Sequence, residues 1–223
     1  MTQANLKLVS FALCPFVQRA RIILLENKIE HELEFIDLDM PPDWFYDVSP
    51  LEKVPVLLVD DEPIFESLVI CDYINDISDS NLYPEDFLLK AQQRAWISLS
   101  DNLLDLVYEL MFATDETKYK QAKASIIDRL EVIEEQLSTG PFYSGEKFAM
   151  IDVAYAPLFR FLDSIMSVSD INFYADAANV QTWAKACLAY PAVQNAVVKT
   201  FPEDFLVYLN RPHTILTASK KIQ

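Results

Sequence analysis

The chain contains very little glycine, with only Gly140 and Gly145 in 223 residues. Phosphate-binding loops need several glycines close together, so P-loop and dinucleotide-binding motifs are excluded. Positive charge is also scarce: 18 Lys and Arg stand against 34 Asp and Glu, for a net charge of −16. Because nucleic acids and anionic membranes are bound through clustered Lys and Arg, we expect neither as a partner.

Cysteine and histidine are too few to build a disulfide framework or a ligand cluster. The three cysteines are Cys14, Cys71 and Cys187, and the two histidines are His31 and His213. We therefore predict no metal site. The chain has neither a signal-peptide pattern nor an apolar run of about 18 residues. These features favour a cytoplasmic protein with reduced thiols.

One cysteine stands where a strand pattern gives way to a helical pattern. Cys14-Pro15-Phe16 follows the short apolar run 6–11 and directly precedes helical spacing. A thiol at a helix start faces free N–H groups and the positive end of the helix dipole, which predicts a lowered thiol pKa. Val17 occupies the place of the second cysteine in a CxxC pair, so redox chemistry here is monothiol. Cys71 and Cys187 lie in apolar helical patterns and are interpreted as core residues.

The first eighty residues alternate between strand and helix patterns. Strand patterns cover 6–11, 31–37, 56–59 and 64–65, and helical patterns cover 16–26, 44–48 and 68–77. A strand, a helix and a second strand in succession predict a parallel βαβ unit with a right-handed crossover. The last two strands flank an acidic turn and predict a hairpin. The whole order indicates an α/β sheet of about four strands with three helices, the thioredoxin arrangement.

After residue 84 the strand patterns disappear, and apolar residues recur at helical spacing. The predicted helical segments lie within 96–110, 122–137, 151–165, 183–190 and 192–198. We therefore predict a thioredoxin-like domain over 1–79, a linker over 80–86 and an all-helical domain over 87–211. Residues 212–223 are predicted to form a weakly ordered tail.

Four sequence blocks together resemble the cytosolic glutathione transferases, and most closely their omega class. The blocks are Cys14-Pro15-Phe16 with Arg19 and Arg21, Pro42-Asp43-Trp44-Phe45, Lys53-Val54-Pro55-Val56-Leu57 and Phe65-Glu66-Ser67. The resemblance implies the glutathione transferase fold, an α/β thioredoxin-like N-terminal domain followed by an all-α C-terminal domain. It further implies glutathione as co-substrate without a metal, and a homodimer. We expect the two arginines to be solvated or salt-bridged within the fold.

The resemblance also implies roles for individual residues. A cis peptide between Val54 and Pro55 would expose the Val54 backbone to the cysteinyl part of glutathione. Ser67, at a helix start, would hold the γ-glutamyl carboxylate, and Glu66 would balance the ammonium group. The implied catalytic residue is Cys14. The implied substrate-binding residues are Phe16, Lys53, Val54, Pro55, Glu66 and Ser67, with Tyr108, Met111 and Phe112 lining an acceptor cleft between the domains.

Two positions depart from the omega pattern. Asp39 stands where that class has a basic residue in contact with the glycyl end of glutathione, so we expect Lys53 to hold the glycyl carboxylate and binding to be weaker. Ala149 stands where a Ser or Thr would cap a helix, a loss of roughly 0.5–2 kcal/mol of stability. Asp152, three residues later, is still expected to bond back to the preceding loop.

The leading hypothesis is a glutathione-dependent thiol transferase or reductase that works through an enzyme–glutathione mixed disulfide on Cys14. The acceptor is a small electrophile or disulfide, and conjugation to aromatic halides is expected to be poor. One alternative is a non-catalytic scaffold resembling the stringent starvation proteins, which bind RNA polymerase. Another is an isomerase or lyase related to maleylacetoacetate isomerase, whose Ser-rich segment before the cysteine is absent at 11–13.

Overall fold

The computed structural model describes residues 4–210 and 213–218, and these residues form two compact units. The first unit contains the described residues up to Leu82 together with Pro191–Val198. The second contains Tyr83–Tyr190 and the described residues from Lys199 onward. Within the described ranges, no helix is both long enough and apolar enough to cross a membrane.

The first unit is a mixed four-stranded sheet with helices. Its strands are β1 (Leu6–Ser10), β2 (Glu32–Phe35), β3 (Val56–Val59) and β4 (Glu62–Phe65), and its helices are α1 (Pro15–Glu26), α2 (Asp43–Val48) and α3 (Ser67–Ile77). The strand order is β2-β1-β3-β4, with β1 and β2 parallel and the other two pairs antiparallel. The predicted βαβ unit and hairpin are therefore confirmed.

Helix α1 begins and ends on signals that are visible in the sequence. Pro15 occupies its first position, where a missing N–H costs no hydrogen bond. Its C-cap is Asn27, which donates from its backbone N–H and from its side-chain Nδ2 to the carbonyl of Ile23. The next residue, Lys28, has φ 54°, a left-handed conformation that ends the helix. Cys14 is thereby held as the N-cap residue of α1.

The second unit is helical. It contains α4 (Phe87–Phe112), α5 (Glu116–Glu134), α6 (Met150–Val168), α7 (Ala178–Ala189), α9 (Phe201–Leu209) and α10 (Ile215–Ala218), whereas α8 (Pro191–Gln194) belongs to the first unit. Asp86 and Asp115 cap α4 and α5, each accepting a 2.9 Å hydrogen bond from a backbone N–H three residues later.

Helix α6 runs through the core of the second unit, and its first turn is tied down by a buried carboxylate. Asp152 is 0% exposed and accepts three hydrogen bonds. The Trp183 Nε1 and Tyr143 N groups donate to Oδ1 at 2.6 and 3.1 Å, and Ala149 N donates to Oδ2 at 2.7 Å. The predicted bond from Asp152 back to the preceding loop is thus confirmed. The same carboxylate also fixes α7 through its tryptophan.

Two segments near the C-terminus differ from the sequence prediction. Residues 192–198 were predicted as a helix of the second domain, but α8 ends at Gln194 and its segment packs with α1 of the first unit. Burial of Ala192 and Val193 provides the reason, and Arg21 Nη2 adds a 3.4 Å hydrogen bond to Asn195 O. The remaining domain boundaries stay a prediction.

Helix α9 was missed by sequence reasoning. Its signals are Pro202 in the first turn, Glu203 and Asp204 beside it, and buried Phe205 and Leu209 four residues apart. The predicted tail 212–223 lies partly outside the described residues. Within it, α10 forms, and Ile215 N donates a 2.9 Å hydrogen bond to Ala113 O.

Candidate active site

A pocket in the first unit brings together segments that are far apart in the sequence. Its wall is formed by residues of helix α1, of the loop 49–55 and of the junction between β4 and α3. All six residues that the sequence predicts as substrate-binding in this half of the chain line this pocket: Phe16, Lys53, Val54, Pro55, Glu66 and Ser67.

The loop before β3 holds a fixed backbone conformation at the pocket. The peptide bond between Val54 and Pro55 is cis, as the resemblance implies. Lys53, the residue before Val54, is held by Ser49 through both of its backbone polar groups. The Ser49 Oγ accepts a hydrogen bond from Lys53 N at 2.9 Å and donates one to Lys53 O at 2.8 Å. Val54, which follows the braced Lys53, lines the pocket.

The start of α3 forms another part of the pocket wall. Glu66 is the N-cap residue with φ 69°, and Ser67 is the first helical residue, 6% exposed. At this helix end the backbone N–H groups lack intrahelical partners and the helix dipole is positive. A carboxylate of a ligand would therefore be stabilised beside Ser67.

Arg19 lies behind this wall, and sequence reasoning did not recognise its importance. It is 0% exposed, whereas we expected it to be solvated or salt-bridged. Its Nη1 lies 3.2 Å from Ser67 Oγ, and its guanidinium carbon is 5.2 Å from the ring centroid of Phe16. The available signal was its spacing, because Arg19 follows Phe16 by three residues and falls within the buried stripe of α1.

Cys14 lies next to the pocket but is itself buried. It is 7% exposed, and its Sγ is 3.7 Å from the carbonyl oxygen of Val54. Burial raises the pKa of this thiol to about 11, although the N–H groups of Val17 and Phe16 and the charge of Arg19 act to lower it. The predicted lowering of the pKa is therefore wrong. The helix start contributes as expected, but removing the thiolate from water costs more.

This protonation state has a direct consequence for reactivity. Because only the thiolate reacts with alkylating agents, the rate of Cys14 alkylation by iodoacetamide should rise about tenfold per pH unit between pH 7 and 10. At pH 7 the native thiol should react roughly 300-fold more slowly than the same peptide in the denatured chain, whose thiol has an ordinary pKa. Peptide mapping after timed alkylation measures both rates. A plateau below pH 9 would contradict the assigned protonation state.

The three residues predicted on α4 differ in their exposure. Tyr108 and Phe112 are partly exposed, and their rings stack on each other with centroids 6.1 Å apart. The Tyr108 ring also contacts Phe161 of α6, and the Phe112 ring contacts Tyr208 of α9. Met111 is 0% exposed and is a core residue, which corrects its assignment to a substrate site.

The remaining sequence expectations concern charge and thiols. Asp39 is exposed and is not among the described residues that line this pocket, whereas Lys53 is exposed and lines it. Cys71 and Cys187 are buried, as predicted. Over residues 4–210 and 213–218, no group of three or more His, Cys, Asp and Glu side chains is arranged to hold a metal ion.

Comparison with known proteins identifies the family. The N-terminal domain of the glutathione S-transferases matches residues 13–77, and the C-terminal domain matches residues 116–186. Glutathione S-transferase omega-2 of Rattus norvegicus is 32% identical over 198 residues, covering 84% of this chain and 77% of that protein.

Solved structures agree in fold. The Tau-class glutathione S-transferase of mango, Mangifera indica, superimposes with a TM-score of 0.82 at 29% identity, covering 92% of this chain and 98% of that one. A rice transferase in complex with glutathione gives a TM-score of 0.83 at 26% identity, with 94% and 96% covered. The predicted glutathione transferase fold is confirmed, and the chain belongs to the glutathione S-transferase family.

Proposed function

We propose that this protein is a glutathione-dependent thiol transferase of the omega-like type, with Cys14 as its nucleophile. One observation carries the proposal. The Cys14 thiol contacts the backbone of Val54, and Val54 lines the pocket together with Ser67 and the other residues that the resemblance assigns to glutathione. A thiol and an anion-stabilising helix end are thus combined at one site.

Glutathione is proposed to lie across this pocket in an extended conformation. Its cysteinyl backbone pairs with the N–H and C=O of Val54, in the manner of an added strand. Its γ-glutamyl carboxylate binds at Ser67 at the start of α3, and its ammonium group binds Glu66. Lys53 is proposed to hold the glycyl carboxylate. The rice relative was solved with glutathione bound, which supports glutathione as the ligand.

The proposed reaction is a pair of thiol–disulfide exchanges. The Cys14 thiolate attacks the glutathionyl sulfur of a mixed disulfide, forming a Cys14–glutathione disulfide and releasing the acceptor as its thiolate. A second glutathione thiolate then attacks the glutathionyl sulfur, which yields oxidised glutathione and regenerates the Cys14 thiolate. Because burial keeps Cys14 protonated, loss of its proton precedes the first attack, and the rate should rise with pH.

Incubation of the protein with oxidised glutathione tests this proposal. We expect one glutathionyl group per chain, attached to Cys14, because Cys14 is 7% exposed and contacts Val54 of the pocket, whereas Cys71 and Cys187 are 1% and 0% exposed inside helices. Intact-mass measurement gives the stoichiometry, and peptide mapping without reductant gives the site. An unmodified Cys14, together with no retention on immobilised glutathione, would reject the proposal and favour the scaffold alternative.

A second candidate function is conjugation of glutathione to an electrophile, with the glutathione sulfur as the nucleophile. The raised pKa of Cys14 favours this candidate. A protonated Cys14 thiol is a poor nucleophile, but it can still donate a weak hydrogen bond. The similarity to a Tau-class transferase is compatible with this candidate. The two functions separate in the Cys14→Ser protein, which would lose thiol transfer but keep conjugation.

Three further expectations rest on family membership. We propose that the exposed faces of Tyr108 and Phe112 contact the acceptor substrate, because partly exposed aromatic rings bind apolar groups well. We also propose that the protein is a homodimer and that it acts in the cytoplasm.

A further inference from the structure

A buried arginine touches two walls of the candidate glutathione pocket. Arg19 is 0% exposed and donates from Nη1 to Ser67 Oγ over 3.2 Å. Its guanidinium carbon also lies 5.2 Å from the ring centroid of Phe16. Ser67 and Phe16 both line the pocket, although 48 residues separate Arg19 from Ser67 in the chain.

The direction of the hydrogen bond between these side chains follows from their chemistry. A guanidinium group has N–H donors and no acceptor, so Ser67 Oγ must be the acceptor toward Arg19. The single hydroxyl proton of Ser67 is consequently directed away from Arg19. Together with the backbone N–H of Ser67 at the start of α3, this residue then offers two donors to a ligand. Such a pair is suited to a carboxylate, which only accepts hydrogen bonds.

We propose that Arg19 is a positioning residue for substrate recognition, which orients the Ser67 hydroxyl as a donor to the γ-glutamyl carboxylate of glutathione. The inference rests on the proposed function, because it takes glutathione as the ligand of this pocket. Arg19 does not itself contact the ligand in this scheme. Its charge contributes in the same direction, since the positive guanidinium attracts an anion bound at Ser67 and also acts to lower the pKa of Cys14.

A purely structural arginine would give a different result from a positioning one. Loss of a buried arginine that only supports packing lowers the stability of the protein and weakens the binding of all ligands of the pocket by the same factor. Loss of a positioning arginine weakens the binding of glutathione more than the binding of a ligand that lacks the γ-glutamyl carboxylate. The informative quantity is therefore a ratio of two dissociation constants, which general loosening of the pocket leaves unchanged.

The test measures dissociation constants of reduced glutathione and of its analogue γ-aminobutyryl-cysteinyl-glycine, which lacks the γ-glutamyl α-carboxylate. Calorimetry in the presence of a non-thiol reductant is applied to the wild type, R19M, S67A, the double variant R19M/S67A and the control R21M. Arg21 lies on the same helix, and its Nη2 donates to the backbone oxygen of Asn195, which does not line the pocket. The preference for glutathione is the dissociation constant of the analogue divided by that of glutathione. We expect the wild type to prefer glutathione, and this preference should be about tenfold smaller in R19M and in S67A.

The double variant should lose less preference than the product of the two single losses, because both single changes remove the same hydrogen bond to the ligand. R21M should keep the wild-type preference. The inference would be overturned if R19M or S67A kept the wild-type ratio of dissociation constants. It would also be overturned if the double variant lost the full product of the two single losses. If R19M does not fold, R19K takes its place. Because lysine retains a donor toward Ser67, R19K should keep more of the preference for glutathione than S67A does. An R19K preference no larger than that of S67A would overturn the inference.

These outcomes are separate from those of the proposed function. A wild-type protein that does not bind glutathione contradicts the proposed function, and the role of Arg19 is rejected with it. A wild-type protein that binds glutathione and becomes glutathionylated on Cys14, with R19M indistinguishable from it, leaves the proposed function intact and rejects only the role of Arg19.

Discussion

Replacement of Cys14 by serine should reduce glutathione-dependent thiol transfer by roughly a thousandfold or more, because removal of the nucleophile of a covalent enzyme costs up to about a millionfold. A serine hydroxyl is too weak a nucleophile to form the disulfide intermediate, and oxygen cannot take part in thiol–disulfide exchange. The measurement is the glutathione-dependent reduction of a small mixed disulfide, followed at several pH values.

Two controls make this result specific to the thiol. Glutathione affinity should change by less than about threefold in C14S, because serine is nearly isosteric and still places a donor near Val54 O. C71A and C187A remove the buried core thiols and should keep the activity of the wild type. Thiol transfer that persists in C14S at more than a tenth of the wild-type rate would show that another group carries the reaction.

Replacement of Asp152 by alanine should lower the free energy of unfolding by about 3–5 kcal/mol. The substitution leaves three donors, from Tyr143, Ala149 and Trp183, without their acceptor in the buried interior of the second unit. Each unsatisfied buried donor costs about 1–3 kcal/mol, and partial access of water keeps the total below the sum. Urea denaturation followed by far-UV circular dichroism measures the change.

The pH of that experiment matters, because burial raises the pKa of Asp152 to about 6. At pH 7.5 the folded protein carries the ionised carboxylate, so the measurement reports on the three charge-assisted hydrogen bonds. D152N keeps one carbonyl acceptor and should lose less stability than D152A. D176A removes an exposed aspartate nearby in the sequence and should stay within about 0.5 kcal/mol of the wild type. Equal stabilities of D152A and D176A would refute the structural role of Asp152.

Most of the first unit could be predicted from the sequence, because its elements begin and end on local signals. Pro15 and Asn27 bound α1, and the acidic turn at Asp60 and Asp61 joins β3 to β4. In the second unit the long helices were predictable from the apolar repeat alone. Helix α9 was not predicted, because it is only nine residues long and its apolar pattern is correspondingly short.

The composition of the pocket was also predictable, but the state of its groups was not. Phe16, Val54 and Ser67 could be assigned to one site from a combination of sequence blocks that resembles a family. The exposure of Met111 could not be assigned, because helical spacing does not reveal which face of α4 is covered. Asp39 departs from that resemblance, and the described pocket is lined by Lys53 instead.

By itself, the sequence determined the order of the elements, the family resemblance and the position of Cys14 at the start of α1. These depend on residues within a few positions of each other, where propensity, capping and spacing act. Only the tertiary structure decided that Cys14 is protonated and that Arg19 bonds to Ser67. Both depend on burial by segments 40 or more residues away, and desolvation there outweighs the local field of the helix.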